Sequence, residues 1–189
     1  NIQRIDRGFD PRGVLTMRLT LPRERYPGDA AGAFFDRLAE RLAALPGVRA
    51  VSAASQFPPA GTFGTQFRLE RGQAESTTLP TSQITTATPS YFETLGVPIQ
   101  AGRGFHATDR LDTPLVAMVN QAFANRYLGG SDPIGQRLSL GSPDQARPWM
   151  TIVGVVGDYR NNGITQPVRP EVYTPVRQQT AWNQLFMLI

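Results

Sequence analysis

The chain contains no cysteine and no lysine, and one histidine, His106. This composition excludes disulfides, thiolate metal sites, cysteine nucleophiles, P-loop or kinase lysines and Schiff-base chemistry. A Ser-His-Asp triad would have to use His106, which lies in a Gly-rich loop, and no G-x-S-x-G elbow occurs. His106 therefore reads as a surface loop residue. Gly102-Arg103-Gly104 and the run Gly154 to Asp158 (GVVGD) resemble pieces of phosphate loops. Neither keeps the strand–glycine–helix order that aims a helix N-terminus at an anion, so both read as strand and turn. Asp109, Asp112, Asp132 and Asp158 supply carboxylates for paired acid–base work. Asp109 and Asp132-Pro133 are also ordinary cap and turn residues, which is the favoured reading. The segment Phe57 to Phe67 (FPPAGTFGTQF) sets Phe57, Phe63 and Phe67 among Pro58, Pro59 and glycines. Rings on such a segment make low-entropy contacts, so these five residues form a candidate partner-contact loop, the alternative being rings tucked into the core. No catalytic, metal or cofactor-binding set emerges.

Length and charge narrow the class further. The chain has 189 residues and is 40% hydrophobic, enough for one ordinary domain or two small ones. Its net charge is +4, and every cation is arginine. The arginines alternate with acids, as in Arg23-Glu24-Arg25 and Asp109-Arg110, without a basic run, which argues against a nucleic-acid partner. No apolar run is long enough to cross a membrane, and the opening NIQRIDRGFDPRG matches neither a signal peptide nor an anchor, so the chain reads as soluble. It stops inside the apolar run Leu185 to Ile189, which predicts a fragment of a longer protein.

The elements follow from periodicity. Leu15, Met17, Leu19 and Leu21 alternate with Thr16, Arg18 and Thr20, a half-buried strand. Asp29 is placed to cap a helix over 30–45 with the stripe Ala31, Phe34, Phe35, Leu38, Leu42 and Leu45. Pro46-Gly47 ends it and 48–54 returns as a strand, predicting a βαβ unit with a parallel crossover. After the break at Phe57 to Gly61, 65–70 and 82–87 predict a hairpin with a long tip.

The central stretch 88–138 is built from two punctuated units. Thr88 is the expected cap of a short helix beginning at Pro89 and ending at Gly96, with Val97-Pro98 leading into a strand. A strand over 115–119 follows, then Asn120 as cap of a helix over 121–128, stopped by Gly129-Gly130. Phe92, Leu95, Phe123 and Tyr127 mark the inward faces of helices too short to stand without a sheet. Strands are expected at 136–140, 149–156, 171–175 and 183–189.

Six segments in this order, GFDPRGVLTMRLTLP, RYPGDAAGAFFDRLAERLAALPGVRAVS, TPSYFETLGVPIQAGRGF, VAMVNQAFANRYLGGSDPIGQRL, WMTIVGVVGD and PEVYTPV, resemble the MacB-like periplasmic core domain of MacB/FtsX-superfamily ABC transporter permeases, in particular the acidobacterial orphan permeases. The resemblance implies an α+β fold of two parts. A Porter-like βαβ subdomain would take 12–58 and 171–189, apparently truncated at its C-terminal side, and a smaller mixed α/β Sabre-like subdomain, 59–170, would be inserted in it. It implies a location on the periplasmic face of the bacterial inner membrane, a separate cytoplasmic ABC ATPase subunit, a dimer of permeases, and a periplasmic adaptor or exported substrate as partner. The implied function is non-catalytic mechanotransmission, coupling transmembrane-helix motion to export or substrate release without a cofactor. Pro89, Gly96, Gly102, Asn120, Pro133 and Gly135 match the family pattern, and their implied role is architectural. Two other readings stand beside it: a periplasmic small-ligand or peptide sensor using the cleft between subdomains, and an acid–base enzyme using the aspartates.

Overall fold

Short alternating runs between glycine and proline breaks make strands the main element. The computed structural model describes residues 7–28, 30–58, 63–71, 79–142, 148–163, 165–179 and 183–189. Strands are β1 (Thr16–Thr20), β2 (Ser52–Ala54), β3 (Phe63–Leu69), β4 (Thr81–Ala87), β5 (Ile99–Gly102), β6 (Val116–Asn120), β7 (Arg137–Leu140), β8 (Met150–Val156), β9 (Glu171–Pro175) and β10 (Gln184–Leu188). Helices are α1 (Ala30–Ala43), α2 (Tyr91–Leu95) and α3 (Gln121–Tyr127), with a 3₁₀ turn at Val176–Gln178. This is the expected α+β class, with strands in the majority.

The first strand, helix and second strand form a small layer. β1 and β2 both pair antiparallel with β10, which lies between them. They are therefore parallel to each other but not neighbours, and the βαβ unit is split by the last strand of the chain. Pairing with β10 supplies each of them with a ladder that a direct crossover would have left to the other. Helix α1 covers one face, where Ala31 and Phe35 are buried with Val51, Ala53, Leu185 and Met187. The rest of its predicted stripe is shallower: Phe34, Leu38 and Leu42 are half-buried and Leu45 is 52% exposed. The expected Asp29 cap lies outside the described residues.

The remaining strands close on themselves. β4 pairs with β3, β3 with β7, β7 with β8, β8 with β6, β6 with β9, and β9 returns to β4. The directions around this ring are mutually consistent, so these strands make a six-stranded barrel. A barrel this narrow is filled by side chains. All six strands feed one core, including Phe67, Leu138, Ile152, Val119 and Val172, and Phe123 and Leu128 of α3 close one end. The barrel's outer face carries Met118, Val156 and Tyr173, which α2 covers with Tyr91, Phe92 and Leu95.

Two strands divide one of their edges. β4 pairs with β3 through its first half and meets β2 at Ala54↔Ala87. Around that pair, Ser55 N–H donates to the Thr86 carbonyl and Thr88 N–H to the Ala53 carbonyl, both at 2.8 Å. The Thr88 hydroxyl accepts from Ala53 N–H at 2.8 Å, so it extends this joint and does not cap α2. Ser90 takes the cap position without a side-chain bond, while Gly96 ends the helix in the left-handed region as expected. β8 similarly pairs with β7 at its start and β5 at its end.

The phosphate-loop-like glycines meet at that second junction. Gly102 and Gly154 are cross-strand partners. A Cβ on Gly154 would lie 2.2 Å from the Arg103 carbonyl oxygen, and one on Gly102 2.2 Å from that of Val153. The two glycines let backbones touch, which is a packing role and not an anion cradle.

Gly154→Ala should lower stability by about 1–3 kcal/mol, while Gly64→Ala, whose added methyl would meet nothing closer than 3.8 Å, should stay within about 0.5 kcal/mol. Urea unfolding compares them. On α1, Phe35→Ala should cost about 3–5 kcal/mol and more than Phe34→Ala; equal costs would place the helix differently on its sheet.

Candidate functional site

The most perturbed chemistry lies on the barrel wall. Glu171 opens β9 on the same face as Tyr173, and strand alternation turns both toward α2 rather than into the barrel. Glu171 is 1% exposed, and its carboxylate accepts from the Thr85 hydroxyl at 2.6 Å, the Tyr173 hydroxyl at 3.1 Å, and Asn161 Nδ2. Tyr91 and Tyr159 are buried beside it, their hydroxyls 3.3 Å apart. Burial raises the Glu171 pKa to about 7, against the pull of its three hydrogen-bond donors. Burial likewise raises the pKa of Tyr91, Tyr159 and Tyr173. Glu171 forms no ion pair among the described residues. It can hold or release a proton near neutrality, but it is walled off from any substrate, so its chemistry acts on the fold.

A cleft is the more accessible feature. It is lined by Asp36, Ala39 and Glu40 of α1 and by His106 and Arg110 of the loop after β5. Asp109 shapes that loop. Its carboxylate, 6% exposed as a residue, accepts Arg103 Nη1 at 2.9 Å, Arg103 Nη2 at 3.0 Å and the His106 N–H at 2.8 Å. Burial pushes the Asp109 pKa up, but these bonds and the guanidinium charge outweigh it and leave it lowered. Gln178 fastens the loop's far end, donating from Nε2 to the Pro114 carbonyl at 3.0 Å and accepting from Val116 N–H at 2.9 Å.

Three of the four aspartates flagged by sequence have separate structural tasks. Asp109 pairs with Arg103 as described, Asp132 accepts from Ile134 N–H at 2.9 Å in a turn, and Asp158 accepts from Ala122 N–H at 2.9 Å at the start of α3. Asp112 is exposed. Among the described residues no group of His, Cys, Asp and Glu could hold a metal. His106 is exposed on the cleft rim. In the aromatic segment, Phe67 is fully buried against Phe123 and Tyr127, Phe57 packs half-buried on Phe186, and Pro58 is buried. Phe63 is 60% exposed, and Pro59 lies outside the described residues. Sequence reasoning passed over Glu171; its signal was a lone carboxyl at the head of a strand, EVYTP, that carries no other charge.

Residues 5–188 match the family model of the MacB-like periplasmic core domain. No curated protein matches the chain by sequence. Among solved structures, the chain is similar to the periplasmic region of MacB from Actinobacillus actinomycetemcomitans, at TM-score 0.60 and 12% identity over 100% of this chain and 79% of that one. It is similar to the extracellular domain of the ABC-type transporter YknZ from Gram-positive bacteria, at 0.54 and 15% over 93% and 83%. A domain of a permease protein from Porphyromonas gingivalis aligns at 0.53 and 17% over 93% and 72%. At these identities the likeness is one of fold.

Because the Glu171 pKa rises from 4.5 to about 7 on folding, the protonated form favours the folded state. That stabilisation is complete below pH 4.5 and is lost as pH rises through 7. The unfolding free energy from urea titration should therefore fall between pH 5 and pH 8, by on the order of 2–3 kcal/mol, and Glu171→Gln should flatten the profile. A wild-type unfolding free energy that is level or rising over this range would remove the protonated carboxyl from the barrel wall.

Proposed function

The chain belongs to the MacB-like periplasmic core domain family, and from that premise we propose that it is a non-catalytic mechanical coupler: motion of a permease's transmembrane helices, driven by a separate cytoplasmic ABC ATPase subunit, passes through it to drive export or substrate release. The family is that of the periplasmic domains of ABC transporter permeases, and no helix among the described residues is long and apolar enough to cross a membrane. The family match over 5–188 carries the reading. Its physical support is a body with two packed parts, a layer under α1 and a closed barrel, joined by backbone pairing at Ala54↔Ala87. Backbone ladders of this kind pass displacement on with little loss, which a flexible linker would not do.

The division into a Porter-like part (12–58 and 171–189) and a Sabre-like part (59–170) belongs to the same proposal. The α1 layer and the barrel are its natural counterparts, with β9 paired into the barrel. A dimer of permeases and a periplasmic adaptor or exported substrate complete it. In the aromatic segment the contact role falls to Phe63, whose ring is exposed, while the ring of Phe67 is used in the core.

Flexible Gly-Ser insertions between this domain and its flanking membrane helices test the coupling in the assembled transporter. ATP hydrolysis should persist while export falls at least about tenfold. Export at the unmodified rate would overturn mechanical transmission.

A further inference from the structure

The cleft between α1 and the His106 loop has a volume of about 390 Å³, within the roughly 300–1,000 Å³ of small-molecule sites. Its lining charges come from two separate elements. Positions 36, 39 and 40 share one face of α1 because residues three and four apart are neighbours on a helix, so Asp36 and Glu40 present carboxylates from one side. The loop after β5 contributes Arg110. Val51, Pro175 and Val176 add apolar lining, and Arg177 reaches Asp36 with Nε 3.5 Å from Oδ2.

That pair leaves Glu40 and Arg110 as the charges with no ion-pair partner among the described residues. Arg110 is held by its Nε donating to the Ala107 carbonyl at 3.1 Å, on a loop fixed by Asp109 and Gln178. The loop is thus ordered before any ligand arrives, which lowers the entropy lost on binding. A carboxylate from α1, a guanidinium from the loop and aliphatic side chains lining one cleft match a molecule with an ammonium, a carboxylate and an apolar body.

We propose that this cleft binds a short zwitterionic ligand of the amino-acid or free-ended peptide class, its ammonium toward Glu40, its carboxylate toward Arg110 and its aliphatic side chain on Val51 and Val176. The site stands independently of the mechanical reading, since it requires neither the membrane nor the ATPase.

The test uses the tripeptide Ala-Leu-Ala and free leucine as probes, added to the full chain. The ring protons of His106 are the reporter, because it is the chain's one histidine and lines the cleft. A saturable NMR shift is expected, with Glu40→Gln and Arg110→Gln each weakening binding about tenfold and N-acetyl-Ala-Leu-Ala-amide giving no shift. Both side chains are exposed, so both variants should fold and keep the remaining spectrum. A response to leucine assigns an amino-acid site, and a response to the tripeptide alone assigns a peptide end. The proposal is overturned by absence of a saturable shift with either probe, by equal binding of the blocked tripeptide, or by wild-type binding in both variants.

Discussion

Everything in this fold depends on the parallel pairing of β4 with β9, from Gln83↔Glu171 to Ala87↔Pro175. Without it the barrel is an open sheet with two bare edges and an apolar face exposed to water. With it, β4 pairs along one edge with β9 from Gln83 to Ala87 and divides the other between β3 and β2. One strand thereby sets the barrel's register and positions the α1 layer. The Thr86 and Thr174 hydroxyls, 3.0 Å apart and buried, reinforce the same seam from inside the barrel. The same pairing brings Glu171 beneath α2, so a carboxyl is buried as a consequence of closing the ring. Its partners Thr85, Tyr173 and Asn161 keep that burial from leaving an unsatisfied polar group.

Local punctuation was legible in the sequence and long-range pairing was not. Asn120 was readable as a cap because Asn before a helical run accepts the N3 amide, and its Oδ1 does accept Phe123 N–H at 3.0 Å. Gly96 was readable because a left-handed residue after a short helix favours glycine. Thr88 misled for an instructive reason: a Thr before Pro is a good cap candidate, and its tie to Ala53 lies 35 residues away. Strand β10 was readable as a strand, but nothing in Gln184–Leu188 announces that it inserts between β1 and β2. The family resemblance gave the class and the location, and the residues alone would have stopped at a mixed fold without chemistry.

Site features divide along the same line. Composition limits which chemistries the chain could carry, because one histidine and no cysteine or lysine leave few nucleophiles and bases. The cleft could not be read there, since Glu40 and Arg110 are 70 residues apart and ordinary at their own positions. Gly102 and Gly154 show what register adds. Each reads as strand and turn in the sequence, and only the register that opposes them reveals the contact between backbones that requires glycine.

Asn120 joins two structures that are usually separate. Its Oδ1 accepts both the α3 amide of Phe123 and the β9 amide of Glu171, the latter at 2.9 Å, while Nδ2 donates to the Arg169 carbonyl at 2.8 Å. Fraying of the first turn of α3 therefore disturbs the same side chain that secures the beginning of β9. Helix and seam are placed in one cooperative unit, whose amides should exchange with solvent at a common rate set by a single opening event.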